Sequence, residues 1–111
     1  MITDTQIATT THPDVVIINR FTPKPGMADL LIAAHASGIG AIGPVAGLLG
    51  GRLFRAEDGD HVILVSRFDG VASYERWMRS PEFAAHRARL SAFLDDADPA
   101  LYEPAWEMGA V

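Results

Sequence analysis

The stretch Asp14-Val-Val-Ile-Ile-Asn-Arg-Phe-Thr22 decides the fold of this chain. Its run of β-branched residues is typical of a strand that is buried on both faces. Pro23 and Pro25 follow directly and end the run. We expect a single folded domain over residues 14–111, because residues 1–13 are polar and rich in threonine and predict a flexible tail.

A helical pattern begins after Gly26. Apolar residues recur at helical spacing, and strong helix formers fill the segment from Met27 to about Ala36, which predicts a helix there. We expect this helix to end in the glycine-rich stretch Gly38–Gly51, where Pro44 also argues against continuation.

Part of that stretch, Gly38-Ile-Gly-Ala-Ile-Gly43, has the spacing of a dinucleotide-binding loop. Such a loop must follow a strand and open a helix whose N-terminus receives the pyrophosphate. This one follows a predicted helix and runs into Pro44, so its context does not favour nucleotide binding.

Two further strands are predicted at Leu48–Ala56 and His61–Phe68. The residues between them, Glu57-Asp-Gly-Asp60, contain an Asp-Gly pair that suits the positive φ of a hairpin turn. The two strands are therefore expected to be antiparallel neighbours.

Two helical segments are predicted to meet at Ser80. The first follows Gly70, and Ser80-Pro-Glu82 then makes a new helix start, with serine as the N-cap and proline at the first position. We expect the second helix to run to about Asp95. Leu101–Met108 alternates enough to be the last strand, and Pro104 places that strand at an edge or bulge.

The order of elements is strand, helix, strand, strand, helix, strand, which predicts an α+β fold of the ferredoxin-like βαββαβ kind with an antiparallel sheet. The helices cover one face of the sheet. The first and third strands are apolar on both faces, at Val16 and Ile18 and at Ile63 and Val65 among others, so the uncovered face predicts a homodimer.

Composition excludes several classes of protein. The chain has 111 residues, of which 49% are hydrophobic, enough for one compact core. It has no cysteine, which rules out disulfides and cysteine-rich zinc sites and is compatible with a cytoplasmic location. The net charge of −5 has the wrong sign for wrapping phosphate backbones, so nucleic acid is not an expected partner. No apolar run approaches the length of a membrane span, and no membrane association is expected.

Three polar or aromatic residues stand out from the apolar pattern. His86 shares a helical stripe with Phe83, Leu90 and Phe93, where a histidine is either a satisfied core residue or a functional one. Asn19 stands in phase with apolar strand positions, and a buried amide must find partners in the backbone or in a ligand. Trp77 offers a large flat surface with one N–H donor, which can line a pocket or fill the core.

Three segments carry a resemblance to a known family: Ile18-Asn-Arg-Phe-Thr22 followed by Pro25-Gly26, Leu49-Gly-Gly-Arg-Leu-Phe-Arg55, and Trp77-Met-Arg-Ser-Pro-Glu-Phe-Ala-Ala-His86. With these segments the chain resembles the antibiotic biosynthesis monooxygenase family, whose members are dimeric α+β barrels. The resemblance covers about residues 14–106. The family usually has Pro-Gly-Phe before the second strand, whereas this chain has Ala46-Gly-Leu48 in a longer glycine-rich loop.

The resemblance implies a cofactor-independent oxygenation, in which molecular oxygen converts an aromatic, polyketide-like phenol or anthrone to a quinone. Such chemistry needs a dry pocket, a base and donors for the developing oxyanion. We predict His86 as base or proton shuttle, Asn19 as donor to the substrate oxygen and Trp77 as wall and second donor. Four further residues are predicted to shape the pocket, namely Phe21, His35, Tyr74 and Phe83.

Two alternatives stay open. The family also contains haem-degrading enzymes, and the resemblance to that branch implies His86 as the haem ligand, with Trp77 against the macrocycle and Asn19 near the distal ligand. The second alternative is a non-oxygenating binder of a small molecule, or a polyketide cyclase, on the same fold. No metal site is predicted, since the histidines form no ligand pair at a useful spacing in the sequence.

Overall fold

The computed structural model describes residues 14–109; the predicted tail, residues 1–13, lies outside them. The elements are, in chain order, strand β1 (Val15–Pro23), helix α1 (Ala28–Ile42), strands β2 (Leu48–Arg55) and β3 (Val62–Phe68), helices α2 (Val71–Met78) and α3 (Pro81–Leu90), a 3₁₀ turn (Ser91–Phe93) and strand β4 (Leu94–Tyr102). None of these helices is long and apolar enough to cross a membrane.

The four strands form one antiparallel sheet in the order β2-β3-β1-β4. β1 lies in the interior of the sheet because it pairs with β3 on one side and with β4 on the other. A strand with neighbours on both sides has its backbone groups satisfied along its length, which suits an uninterrupted apolar run. The predicted ferredoxin-like α+β fold is confirmed, and the second helical region consists of two helices that meet at Ser80.

The core lies between one face of the sheet and the helices, in two clusters. The first joins Phe21 and Val62 of the sheet to Leu31 of α1 and Leu90 of α3. The second joins the buried side chains of Val15, Ile17 and Phe68, on which Tyr74 and Trp77 of α2 pack.

The first helix is six residues longer than predicted at its C-terminal end. α1 does not stop at Ala36 but continues through Gly38 and Gly40 to Ile42. A glycine inside a helix costs about 1 kcal/mol relative to alanine, and local propensity therefore predicted the wrong end. Gly38 is buried against α3, so tertiary contact outweighs the propensity cost there. The helix ends at Gly43, whose φ of 80° is left-handed.

The C-terminal elements also differ from the prediction. The last helix ends at Leu90 instead of about Asp95, and the final strand is Leu94–Tyr102 instead of Leu101–Met108. The segment is rich in aspartate and contains Pro99, so its own sequence does not favour a strand. Its backbone nevertheless pairs with β1, and as an edge strand it tolerates a proline and exposed carboxylates. The edge position was predicted correctly, but Pro104 lies beyond the strand.

Two local predictions are confirmed. Gly59 has a φ of 74° in the turn between β2 and β3, as the Asp-Gly pair indicated. The Ser80 hydroxyl accepts a hydrogen bond from the backbone N–H of Phe83 at 3.0 Å, which satisfies one of the free donors at the start of α3.

Within residues 14–109, no helix covers the opposite face of the sheet. In register on it are Val16 and Ile18 of β1 and Ile63 and Val65 of β3, all partly exposed. Phe54 and Tyr102 extend this apolar surface to both outer strands, with 39% and 52% of their surface exposed. We refer to these six residues as the open face.

Candidate functional site

Asn19 lies on the inward face of β1, in phase with the buried residues Ile17 and Phe21. Across the sheet it is paired with Leu64 of β3 and Pro99 of β4. Its Oδ1 atom is buried, and no group among residues 14–109 hydrogen-bonds to it. An unpaired buried acceptor costs on the order of 1–3 kcal/mol. The strand therefore holds an amide at a position that packing alone would fill with hydrocarbon.

Two histidines meet between α1 and α3. The Nε2 atom of His86 lies 3.1 Å from Nδ1 of His35, and the ring centroids are 5.0 Å apart in an edge-to-face arrangement. His86 is only 3% exposed, whereas His35 is partly exposed. One ring must donate the shared proton and the other must accept it.

Because Gly38 has no side chain, the His86 ring has room to pack against α1. A Cβ atom at position 38 would lie 2.5 Å from Nδ1 and 2.8 Å from Cε1 of His86. Real Cβ atoms do not approach ring atoms so closely, so any side chain at position 38 would displace the histidine. Nδ1 of His86 is buried and has no hydrogen-bond partner in the described part of the chain.

Asn19 lies along β1 between Ile17 of the second core cluster and Phe21 of the first. Leu31 and Leu90 pack on Phe21, and each histidine is one helical turn away from one of these leucines. We refer to Asn19 and the histidine pair His35 and His86 together as the polar layer.

Both imidazoles of the polar layer are neutral at pH 7. Burial, the neighbouring His35 and the positive charge of Arg89 together lower the pKa of His86 to about 4, with burial as the largest cause. Burial also lowers the pKa of His35. A neutral histidine can donate through one ring nitrogen and accept through the other, so this layer can hold an oxygen-bearing ligand without carrying a charge of its own.

Aromatic side chains of α2 and α3 pack on and beside the second cluster. The rings of Trp77 and Phe83 lie edge to face with their centroids 5.5 Å apart, and Tyr74 packs on Phe68 at 5.6 Å. Burial raises the pKa of the Tyr74 hydroxyl. Phe21, predicted as a pocket residue, is a 4% exposed member of the first core cluster.

Sequence reasoning singled out Asn19, Trp77 and His86 but did not join His35 to His86. The two histidines are 51 residues apart in the sequence, and no local spacing relates them. The sequence does indicate that each histidine lies on the apolar side of its helix, because His35 follows Leu31 by one helical turn and His86 precedes Leu90 by one turn. Gly38 belongs to the stretch that the sequence predicts to end the helix, and its role beside His86 depends entirely on tertiary contact.

A cavity of about 750 Å³ lies elsewhere, where β1 leads into α1. Its walls come from residues 22–26, Ala28 and Asp29, together with Arg55, Gly59, Asp60 and Asp95. None of the predicted site residues is among them. The cavity and the polar layer are therefore separate features.

Within the described residues 14–109, one group of side chains could hold a metal ion. The ligand atoms of Asp58, Asp60 and His61 lie within 4.8 Å of one another in the turn between β2 and β3. Both aspartates are exposed, and exposed acidic groups of this kind are common in proteins without a bound metal. The group is remote in sequence from the polar layer and shares no residue with it.

Comparison with solved structures agrees with the fold. A mutant of SnoaB, a cofactor-independent oxygenase from Streptomyces nogalater, superposes with a TM-score of 0.78 at 18% identity, over 88% of this chain and 99% of that one. Rv0793 from Mycobacterium tuberculosis gives a TM-score of 0.73 at 23% identity, over 86% and 99% of the two chains. A dimeric protein of unknown function and ferredoxin-like fold from Bacteroides fragilis gives 0.70 at 15% identity, over 83% and 97%.

At these identities the structural likeness establishes the fold. No curated protein sequence matches the chain. The family profile described as antibiotic biosynthesis monooxygenase matches residues 14–89, a range that begins at β1 and ends within α3. This chain belongs to the antibiotic biosynthesis monooxygenase family.

Proposed function

We propose that this protein is a cofactor-independent monooxygenase that oxidises an aromatic, polyketide-like phenol or anthrone to a quinone with molecular oxygen. The observation that carries the proposal is the polar layer, in which the Asn19 amide, whose Oδ1 has no partner among residues 14–109, and a neutral histidine pair stand among apolar core residues. Family membership and the likeness to SnoaB, described as a cofactor-independent oxygenase, support the same reaction class.

The reaction balances without a cofactor. Loss of a proton converts the anthrone to an electron-rich anion, which transfers an electron to oxygen and combines with it to form a peroxide. Loss of water from the peroxide leaves a carbonyl, so that one CH₂ group and one O₂ give one C=O and one H₂O. The protein must favour the anion and exclude bulk water; the polar layer offers donors for the first task, and the apolar surface of the Trp77–Phe83 pair is suited to the second.

The contacts of His86 support our proposal over the haem alternative. Iron ligation by His86 needs a free ring nitrogen, but Nε2 is hydrogen-bonded to His35 and Nδ1 packs against Gly38. The residues in this arrangement do not fit an axial ligand to iron. A non-oxygenating binder would not consume oxygen, and oxygen consumption can be measured directly.

The deciding experiment measures oxygen uptake with 1,8-dihydroxyanthrone as a model substrate, in buffer containing a metal chelator. We expect enzyme-dependent uptake that yields one quinone per O₂ and falls at least tenfold in Asn19→Ala. His61→Gln, a histidine variant outside the polar layer, should keep the wild-type rate. A folded protein that binds the anthrone without consuming oxygen would establish the binder instead.

We further propose that the open face pairs two copies of the chain. Its six apolar residues lie on one side of the sheet beside Arg20, Arg52 and Arg67, and no helix among residues 14–109 covers them. Contiguous apolar surfaces of this kind are characteristic of association sites. A homodimer with twofold symmetry would cover both copies of the open face at once.

A further inference from the structure

The two histidines of the pair differ in what they can reach. His86 is enclosed, since Nε2 faces His35 and the Nδ1 edge packs on the backbone of Gly38. This packing leaves no room for a substrate atom between the ring and α1. His35 is partly exposed, and its Nδ1 is the nitrogen that faces His86. The Nε2 edge of His35 therefore points away from the buried partner.

The surroundings of His86 decide which ring donates the shared proton. If Nδ1 of His86 carried its proton, a buried N–H donor would have no acceptor among residues 14–109. It would also lie near the guanidinium of Arg89, whose Nη2 is 3.1 Å from the point that a Cβ of Gly38 would occupy. A positive charge favours a lone pair at Nδ1 over an N–H. His86 thus carries its proton on Nε2 and donates it to Nδ1 of His35.

This assignment fixes the state of the second ring. A neutral imidazole that accepts at Nδ1 must carry its own proton at Nε2. We infer that His35, held in place by His86, is a neutral N–H donor that binds the oxygen of a phenolic or enolic substrate in the same polar layer as Asn19. The inference rests on the proposed function for the class of ligand, and it changes the role predicted for His86 from base to positioning residue.

The proton balance then needs no protein base. The His35 N–H and the Asn19 amide stabilise the substrate oxyanion, which lowers the pKa of the phenol or enol until water accepts its proton. The electron-rich anion is the species that reduces oxygen. A single donor to an oxyanion contributes about 10²–10³-fold in rate in other enzymes.

The first test reads the tautomers directly, without any substrate. Long-range ¹H–¹⁵N spectra of the ¹⁵N-labelled protein at pH 7 should show both His35 and His86 protonated at Nε2 only, with assignments from His35→Gln and His86→Gln. In His86→Gln the folded protein should show a mixture of His35 tautomers, because the orienting donor is altered. A proton at Nδ1 of His86 in the wild type would overturn the inference.

The second test measures oxyanion binding without turnover. 1,8-Dihydroxyanthraquinone cannot undergo the oxidation, and its phenol ionisation is visible by absorbance. We expect the wild type to lower the pKa of the bound phenol by at least one unit, His35→Gln to retain most of this effect through its amide N–H, and His35→Leu to lose it. If the pKa of the bound phenol were the same in His35→Gln and His35→Leu, His35 would not be a hydrogen-bond donor to the oxyanion.

The two proposals can fail separately. If the tautomers and the phenol shift are as expected but no oxygen is consumed, the oxygenase proposal is wrong and the donor inference stands. If oxygen is consumed at the same rate by His35→Leu and the wild type, the donor inference is wrong and the oxygenase proposal stands.

Discussion

The ring of His86 occupies the space that a side chain on Gly38 would need, with a hypothetical Cβ only 2.5 Å from Nδ1. This relationship joins α1 to α3 at the polar layer and explains why a glycine is tolerated inside a helix. The packing of the histidine pair therefore depends on the residue at position 38. This dependence can be measured as a change in stability, without knowledge of the substrate.

We expect Gly38→Ala to lower the free energy of unfolding by about 1–3 kcal/mol, because overpacking against His86 outweighs the gain in helix propensity. Gly40→Ala is the matched control in the same helix, since no atom lies within 4 Å of its Cβ position. That control should gain about 0.5–1 kcal/mol. Urea denaturation of both variants decides the matter, and equal stabilisation by the two alanines would contradict the close contact at Gly38.

Asn19→Leu is expected to stabilise the protein while it removes activity. The substitution replaces an unpaired buried acceptor by hydrocarbon between two apolar clusters, and we expect a gain of about 1 kcal/mol. Oxygen uptake with the anthrone should fall at least tenfold. Ile17→Val on the same face is the control, with a loss of about 0.5–1.5 kcal/mol in stability and an unchanged rate. If Asn19→Leu lost stability instead, the amide would be a structural residue with partners of its own.

Stability should depend on pH through the histidine pair. The folded protein holds the pKa of His86 at about 4, below the value of 6.5 for an exposed histidine, so the unfolded chain binds more protons between these two values. The stability that this site contributes is fully present above pH 6.5 and is lost as the pH falls toward 4. In His86→Leu the free energy of unfolding should decline less between pH 7 and pH 4.5 than in the wild type. Parallel urea titrations at the two pH values measure the difference, and an identical decline would show that His86 titrates normally.

The open face predicts an oligomeric state. The wild type should elute in size-exclusion chromatography with light scattering at twice the 11.9 kDa of one chain. Ile18→Arg places a charge in the middle of the open face and should give a folded monomer or a shift to monomer on dilution. Ala85→Arg, an exposed position on α3, serves as the control and should remain dimeric. A wild type that is monomeric at all concentrations would contradict the proposed homodimer.

Haemin should not bind through His86. Both of its ring nitrogens are enclosed, so we expect titration with haemin to give no sharpened Soret band. The spectra of the wild type and His86→Ala should be the same. A sharpened band in the wild type that His86→Ala abolishes would revive the haem alternative and would require the pair with His35 to open.

The central elements of the fold were predictable because their patterns are local. The β-branched run of β1, the Asp-Gly turn between β2 and β3, and the Ser-Pro-Glu start of α3 each determine backbone conformation through nearby residues. Together with the order of elements they were enough to predict the ferredoxin-like fold. They also placed Asn19, Trp77 and His86 on the inward side.

The errors lie where distant contacts outweigh local preference. α1 continues through Gly38 because a histidine from α3 packs there, and the aspartate-rich segment 94–102 becomes a strand because β1 offers it unpaired backbone groups.

The sequence by itself determined the order of elements, the apolar faces and the placement of an amide and a histidine among hydrocarbon. Only the tertiary structure decided that His35 is the partner of His86, because a hydrogen bond between residues 51 positions apart depends on how two helices pack on one sheet. The same packing encloses both nitrogens of His86 and leaves His35 as the imidazole that a ligand can reach.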